Sequence, residues 1–172
     1  LALPFEDASF DAILCGFAAM FFPDKIAGYS EALRVLRPGG TFIFNVWDRV
    51  EENESSVAVG DAVAEIFPHD PPLFLVRTPY GYHDVQVIEE DLRKSGFSQI
   101  SITTLNQTLH AASARDIAIA YCQGTPLRND IAARGAELVG PTTDKVEQAM
   151  IARYGTGAIT GGLSAHVMTV SR

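Results

Sequence analysis

Phe10-Asp-Ala-Ile-Leu-Cys-Gly-Phe17 is a nearly continuous apolar run, and Thr41-Phe-Ile-Phe-Asn-Val-Trp47 is a second run rich in β-branched and aromatic residues. Both compositions favour β-strands, and an uninterrupted apolar run is typical of a parallel strand that is covered on both faces. The spacing of the two runs leaves room for one helix between them. The sequence therefore predicts a strand–helix–strand unit at this end of the chain.

The connecting helix is predicted from its own signals. Pro23-Asp24 marks its start, and apolar residues recur at steps of three and four between Ile26 and Leu36, which gives one apolar face. Arg37-Pro-Gly-Gly40 is predicted to end it, because proline cannot continue the hydrogen-bond ladder and glycine accepts left-handed dihedrals. A right-handed crossover would make the two strands a parallel pair.

The rest of the chain alternates between helical and extended patterns. Residues 68–84 are rich in proline and aromatic residues and are predicted to form a loop. Alternating apolar residues predict the strands, and capping signals mark several helix starts. Helices are predicted at 56–67, 87–95, 114–122, after Thr125-Pro126 and at 143–154, and strands at 99–105 and 163–171.

An ordered set of motifs runs through the first 48 residues: LPF at 3–5, SFD at 9–11, the strand end from Cys15 through MFFPD at 20–24, and VLRPGG at 35–40. With these motifs the first 48 residues resemble the second half of a class I S-adenosylmethionine-dependent methyltransferase, of the small-molecule type grouped with ubiquinone-biosynthesis enzymes. Residues 121–128 and 153–157 also look like the corresponding stretches of that subgroup.

This resemblance implies an α/β fold with the Rossmann-like sheet of class I methyltransferases. The chain would supply the fourth to seventh strands, with an antiparallel last strand. It would form a single partial domain over residues 1–172, with a helical insert at 107–158 between the last two strands. The activity implied is methyl transfer from S-adenosylmethionine to a small-molecule acceptor.

The glycine-rich cofactor loop and the acidic ribose-binding residue of that family have no counterpart in the sequence. The resemblance therefore implies a truncated domain whose first strand lacks a neighbour, exposing an apolar edge. We expect the chain to self-associate or to pair with the missing N-terminal half. We also expect it to bind S-adenosylmethionine at least about tenfold more weakly than a complete domain, which corresponds to about 1.4 kcal/mol.

The composition of the chain limits the classes of molecule that it is expected to bind. The chain of 172 residues has 47% hydrophobic residues, 20% charged residues and a formal net charge of −8, which disfavours nucleic acid as a partner. No apolar stretch is long enough to span a membrane, and no metal-ligand spacing is present. Cys15 and Cys122 share no metal-like pattern and are interpreted as reduced thiols of a cytoplasmic protein.

Candidate cofactor contacts lie at the end of the first strand, because ligands of open α/β sheets bind beyond the carboxyl ends of the strands. Gly16 permits close approach, and the resemblance places the backbone here along the methionine part of the cofactor. Leu3 resembles the loop that covers the adenine. Core packing is the alternative for the apolar residues. The predicted cofactor-binding residues are Leu3, Cys15, Gly16, Phe17 and Met20.

Candidate substrate contacts are Trp47, Asp48, Tyr82 and Tyr121. Trp47 and Asp48 lie at the end of the second strand, where a sheet-edge Trp and a turn Asp are the equally open alternative. For Tyr82 and Tyr121 the alternative is core packing. No catalytic residue is assigned, since methyl transfer is an in-line displacement that depends mainly on alignment.

Histidines supply the other candidates for a general base. His83 and His110, together with Asp48, are candidates, and each is more simply explained as a structural or solvated residue. His166 is interpreted as a packing residue whose polar atoms are satisfied.

Two other functions stay open from sequence. One is a non-catalytic half-domain that acts as an interaction module, and the other is a nicotinamide-dependent oxidoreductase. The dinucleotide fingerprint is absent. Gly155-Thr-Gly-Ala-Ile-Thr-Gly161 follows a helix and leads into a strand, so it does not place a helix N-terminus at a phosphate.

Overall fold

A computed structural model describes all residues from 1 to 172. Its strands form one four-stranded sheet in the order β1-β2-β4-β3. Strand β1 is parallel to β2, and β2 is antiparallel to β4. The prediction of a mixed α/β sheet with an antiparallel last strand is confirmed. The strands are β1 (Phe10–Cys15), β2 (Leu36–Trp47), β3 (Gln99–Ala111) and β4 (Ile159–Ser171).

The helices begin and end close to the predicted positions, with one addition. Residues 68–84 were predicted to be loop throughout, but a short helix forms there at Phe74–Arg77. The side chains of Asp24, Asp84 and Ser113 accept hydrogen bonds from backbone N–H groups of the helices that follow them. The helices are α1 (Lys25–Val35), α2 (Glu54–Ile66), α3 (Phe74–Arg77), α4 (Val85–Lys94), α5 (Ala114–Cys122), α6 (Leu127–Ala132) and α7 (Val139–Tyr154).

The predicted helix stop at Arg37–Gly40 needs correction. Helix α1 already ends at Val35, and β2 begins at Leu36. The pairing of β1 with β2 is irregular here, since Phe10 pairs with Leu36 and Ala12 with Thr41. Gly39 adopts a φ of 81°, its N–H donates to the Arg172 carbonyl, and Gly40 accepts from the Arg172 N–H. The Pro-Gly-Gly segment is therefore an irregularity within a strand rather than a turn before it.

The chain divides into two compact units, and strands β3 and β4 each run from one into the other. The first unit contains residues 1–49, 78–105 and 164–172. Its core is aromatic: the rings of Phe42 and Phe44 stack with centroids 4.9 Å apart, and Tyr29 lies 5.0 Å from Phe44. Ile88 and Leu92 of α4 are fully buried in the same cluster. These contacts pack helices α1 and α4 onto the sheet.

The second unit contains residues 50–77 and 106–163. Helices α2, α5 and α7 form its core, with Val59, Ala118, Val146 and Met150 fully buried. Arg115 of α5 forms ion pairs with Asp144 and Glu147 of α7. The predicted insert at 107–158 lies within this unit, which also includes α2 and α3. The assignment of one partial domain over residues 1–172 stays a prediction.

None of the helices combines the length and the apolar character needed to cross a bilayer. No cluster of three or more His, Cys, Asp and Glu side chains is placed to hold a metal ion.

Candidate functional site

The backbone turn after β1 is strained, and a side chain of the neighbouring strand holds it. Phe17 has a φ of 47°, which is uncommon for a bulky residue. Its N–H donates to Oδ1 of Asn45 on β2 at 3.0 Å. A Cβ added at Gly16 would meet only Asn45 Oδ1, at 3.9 Å. Gly16 therefore borders open space, and a strained backbone beside it at the carboxyl end of a strand is a feature common at ligand sites.

An aromatic stack lies at the ends of β1 and β2. The rings of Phe17 and Trp47 stack with centroids 4.1 Å apart and an interplanar angle of 25°. Tyr80 lies on Trp47 with a centroid distance of 6.0 Å. Phe17 is 38% exposed. Phe17 and Trp47 therefore lie together at one edge of the sheet, while their contact with a ligand stays a prediction.

Leu3 and Cys15 line the same cavity of about 370 Å³ in the first unit, together with Ile13 and Phe42. The cavity wall is mostly apolar. Burial raises the pKa of the Cys15 thiol, although the backbone N–H groups of Ala18 and Ala19 act in the opposite direction. Cys15 is therefore a neutral, half-buried thiol that contributes apolar surface to this cavity.

The segment that carries Leu3 is held by charged residues of α1. The Leu3 N–H donates to Glu31 Oε2 at 2.7 Å, and Arg34 Nη2 donates to the Leu3 carbonyl at 3.0 Å. Arg34 also pairs with Glu31 and with Asp7. The Arg34 side chain, followed by the Leu3 N–H, lowers the pKa of Glu31 to about 2. This network fixes the N-terminal segment against α1, where it forms one wall of the cavity.

Asp48 follows β2 and accepts three hydrogen bonds. The Arg49 N–H and His166 Nε2 lie 2.7 Å and 3.1 Å from Asp48 Oδ1, and the Ser164 hydroxyl donates to Oδ2 at 2.9 Å. Burial alone would raise the pKa of Asp48, but the Arg49 N–H, the Ser164 hydroxyl and His166 outweigh it and lower that pKa. Asp48 is therefore an anchored carboxylate at the end of a sheet strand.

His166 is 5% exposed, and both ring nitrogens have partners. Nε2 faces Asp48, and Nδ1 lies 2.9 Å from the hydroxyl of Thr104 on β3. This confirms its interpretation as a satisfied packing residue. It also connects three strands, since Asp48 follows β2, His166 belongs to β4 and Thr104 to β3.

Two of the other predicted ligand contacts lie among core residues of the first unit. Met20 is 4% exposed and belongs to the aromatic core. The Tyr82 hydroxyl donates to Asp91 Oδ2 at 2.9 Å and lies 3.4 Å from the Tyr29 hydroxyl. Burial, together with Tyr29 and Asp91, raises the pKa of Tyr82. The Tyr82 hydroxyl is thus engaged by its own chain, and Met20 faces core atoms.

The remaining candidates are spread over both units. Tyr121 belongs to the second unit, where its hydroxyl lies 2.7 Å from Ser56 Oγ and 3.3 Å from Ser55 Oγ. His83 Nδ1 lies 2.8 Å from the Tyr80 carbonyl. His110 is exposed on β3. None of the hydrogen bonds described for Tyr121 and His83 involves Asp48.

Sequence reasoning missed two features of the site. Asn45 was not singled out, although its position two residues before Trp47 puts both on one face of the strand. The pairing of Asp48 with His166 depends on the antiparallel register, in which Val46 faces His166. Alternation in the sequence reports which face a residue occupies but not which residue lies across from it.

Known proteins are similar to part of this chain in sequence and to most of it in fold. Residues 1–44 match the family described as Methyltransferase domain. Demethylmenaquinone methyltransferase of Deinococcus radiodurans is 49% identical over 43 residues, which make up 25% of this chain and 18% of that protein. The ubiquinone/menaquinone biosynthesis C-methyltransferase of Brucella anthropi is 49% identical over 49 residues, covering 28% of this chain and 19% of that protein. The matches thus span less than a fifth of these relatives.

The fold match is wider. The crystal structure of a candidate methyltransferase from Bacillus halodurans aligns with 98% of this chain and 72% of its own, with a TM-score of 0.54 and 16% identity. At that identity the match shows the fold alone. The two comparisons agree: the first 44 residues are similar to methyltransferase domains, and the fold of the chain is similar to that of a candidate methyltransferase of known structure. The first residues are also similar to the demethylmenaquinone methyltransferase of Deinococcus and the ubiquinone/menaquinone C-methyltransferase of Brucella.

Proposed function

We propose that this chain binds S-adenosylmethionine at the carboxyl ends of β1 and β2 and transfers its methyl group to a small-molecule acceptor. The turn at Gly16 and Phe17 carries the proposal. It offers open space beside a glycine, a backbone held by Asn45 and an aromatic wall from Trp47. The neighbouring cavity lined by Leu3 and Cys15 offers an apolar surface suited to an adenine ring.

The reaction makes few chemical demands on the protein. When bound, S-adenosylmethionine supplies an electrophilic methyl group on a positively charged sulfur. The residues of this chain would hold the acceptor in line with that group. Phe17 and Trp47 would exclude water from the reacting atoms.

Asp48 would orient the acceptor rather than remove its proton. Three donors already hold its carboxylate, and they lower its pKa. A carboxylate with a lowered pKa is a weak base but a good hydrogen-bond acceptor. We therefore assign Asp48 the role of receiving a hydrogen bond from the acceptor. Trp47, the preceding residue, would pack on the acceptor's apolar part.

The proposal is tested by titrating the full chain with S-adenosylhomocysteine, using calorimetry and the fluorescence of Trp47, the only tryptophan. We expect binding that changes the Trp47 emission. A chain that binds no S-adenosylhomocysteine would overturn the proposal. Binding by calorimetry with no change at Trp47 would remove Trp47 from the site.

A pair of glycine variants locates the site. Gly16→Val adds atoms to open space, so we expect the chain to fold and to lose at least about tenfold in affinity for S-adenosylhomocysteine. Gly157→Val is the matched control, because a Cβ there meets no atom within 4 Å, while a Cβ at Gly16 meets only Asn45 Oδ1 at 3.9 Å, and Gly157 lies outside the proposed site. Equal affinities of the two variants would contradict a site at Gly16.

The proposal includes a cytoplasmic location and a small-molecule acceptor. Two cysteines that no disulfide joins support a reducing, cytoplasmic location. The negative net charge of −8 supports a small molecule rather than nucleic acid as the acceptor.

A further inference from the structure

A cavity of about 320 Å³ lies within the second unit, against helix α2. Its walls are formed by α2, by the Pro71-Pro72 segment and by α3, and most of its lining side chains are apolar. Sites for small organic molecules have volumes of about 300–1,000 Å³ and mostly apolar walls. The size and the lining of this cavity therefore suit a small ligand.

Gly60 is among the residues that line this cavity, at a position where the fold does not otherwise require a glycine. It lies in the interior of α2, where glycine lowers helix stability relative to alanine. A Cβ at this position would meet no atom within 4 Å, and Gly60 does not have a positive φ. Neither close packing nor backbone conformation requires glycine here. The missing side chain leaves open space on this side of the helix, where Gly60 lines the cavity.

Exposed apolar side chains converge on the same cavity. Leu73 and Val76 are 37% and 48% exposed, and both line it. Leu75, between them in the chain, is buried and also contributes to the wall. A ligand in the cavity would cover apolar surface that the chain leaves in contact with water, which favours binding.

The polar groups at the cavity are acidic. Glu51 and Asp61 line it, and both are exposed. No lysine or arginine is among the lining residues, and neither carboxylate takes part in an ion pair. An apolar pocket with two unpaired carboxylates is complementary to a molecule with an apolar body and a cationic end.

We propose that this cavity binds a small amphiphilic amine, with its apolar body against Gly60, Leu73 and Val76 and its ammonium group toward Glu51 and Asp61. All of these residues belong to the second unit. Binding at this cavity therefore does not depend on the cofactor site proposed at Gly16, and each proposal fails or stands by its own measurement.

The charge preference is tested with phenethylamine, phenethyl alcohol and phenylacetate, which share a phenyl body and differ in the end group. The full chain, without cofactor, is titrated with each while the backbone amide resonances of α2 are followed by NMR. We expect phenethylamine to shift the Gly60 resonance and to bind at least tenfold more tightly than phenylacetate. In the Glu51→Gln/Asp61→Asn double variant, phenethylamine should bind no better than phenethyl alcohol. Equal binding of the amine and the acid by the unaltered chain would overturn the proposal.

Glycine variants test the position. Gly60→Leu adds a side chain that fills the cavity, and we expect it to abolish phenethylamine binding while the helix content by circular dichroism stays unchanged. Gly140→Leu is the matched control, because Gly140 also lies in a helix of the second unit, has no atom within 4 Å of an added Cβ and does not line the cavity. Phenethylamine binding that survives in Gly60→Leu, or is lost equally in Gly140→Leu, would contradict the assignment.

Discussion

The imidazole Nε2 of buried His166 lies 3.1 Å from a carboxylate oxygen of Asp48. This contact joins β4 to the residue that follows β2, and Ser164 on β4 supplies a second hydrogen bond to the same carboxylate. The pair therefore couples the position of a proposed substrate contact to the pairing of two sheet strands.

Asp48→Asn tests how much the hydrogen bonds of the Asp48 carboxylate contribute to the free energy of unfolding. A hydrogen bond to a charged group contributes about 1.5–3 kcal/mol, so we expect the variant to lose about 1–2 kcal/mol of unfolding free energy at pH 7, since the amide keeps part of the bonding. The folded-state pKa of Asp48 lies below its unfolded value near 3.8. The stabilisation is therefore complete above about pH 4 to 5 and is lost as the pH falls through the folded-state pKa.

Urea unfolding of both proteins at a series of pH values measures this difference. The stability gap between the native chain and Asp48→Asn should narrow below about pH 4. Glu6→Gln, which alters an exposed carboxyl, is the control and should be near neutral throughout. A gap that stays constant down to pH 2 would show that ionisation of Asp48 does not stabilise the fold.

The sequence predicted the sheet well because its signals are local. The apolar run of residues 10–17 and the alternation of residues 163–171 each indicate one strand, and the resemblance implied that the last strand is antiparallel. The helix starts at Asp24 and Ser113 could also be predicted, because a capping residue and its helix are adjacent in the chain.

The site was less predictable because its contacts are long-range. Asn45 and Phe17, or Asp48 and His166, meet only after register and crossover are set. The segment Arg37–Gly40 was misjudged for the same reason, because its backbone groups pair with Arg172 at the far end of the chain. The Pro-Gly-Gly sequence indicates a turn, but it does not indicate that its backbone groups pair with Arg172.

The network at the N-terminal segment gives a direct test by titration. We expect the side-chain carboxyl of Glu31 to titrate with a midpoint near 2, against an ordinary value of 4.5, because Arg34 and the Leu3 N–H stabilise its charged form. In Arg34→Gln the midpoint should rise toward 4.5. Carboxyl carbon NMR on the full chain measures both values.

Arg37→Gln is the matched control for Arg34→Gln. Arg37 lies three residues after Arg34, at the start of β2, and it pairs with Asp11 rather than with Glu31. Its removal should leave the Glu31 midpoint unchanged. A midpoint near 4.5 in the unaltered chain would mean that the ion pair with Arg34 does not persist in solution.

The two thiols should react slowly in the folded chain. Cys122 is fully buried, and burial raises its pKa to about 11, so only about one thiol in a thousand is ionised at pH 8. Cys15 is half-buried, and its pKa is also raised. We expect Cys15 to react slowly with Ellman's reagent and Cys122 only when the chain unfolds.

Single cysteine variants show which thiol accounts for each phase of the reaction with Ellman's reagent. Cys15→Ser should remove the faster phase and leave one thiol that reacts at the unfolding rate, while Cys122→Ser should retain the faster phase. In denaturant both single variants should react at the same rate. Rapid labelling of Cys122 in the native chain would show that α5 opens far more readily than its burial implies.

The free edge of strand β1 is a surface through which two copies of the chain can associate. Strand β1 lies at an edge of the sheet and pairs with β2 alone, so its outer N–H and C=O groups face no neighbouring strand. Leu14 on this strand is 76% exposed. Exposed apolar edge strands pair with other chains, and a lysine on the edge opposes such pairing. We expect the chain to self-associate through β1. Leu14→Lys should weaken this association and raise the dissociation constant at least about tenfold.

Val87→Lys is the control, because it places the same charge on helix α4, where Val87 is 45% exposed, and it should leave association unchanged. Sedimentation equilibrium on the three proteins decides the matter: a chain that is monomeric without substitution, or a Val87→Lys variant that dissociates as much as Leu14→Lys, would rule out β1 as the association surface.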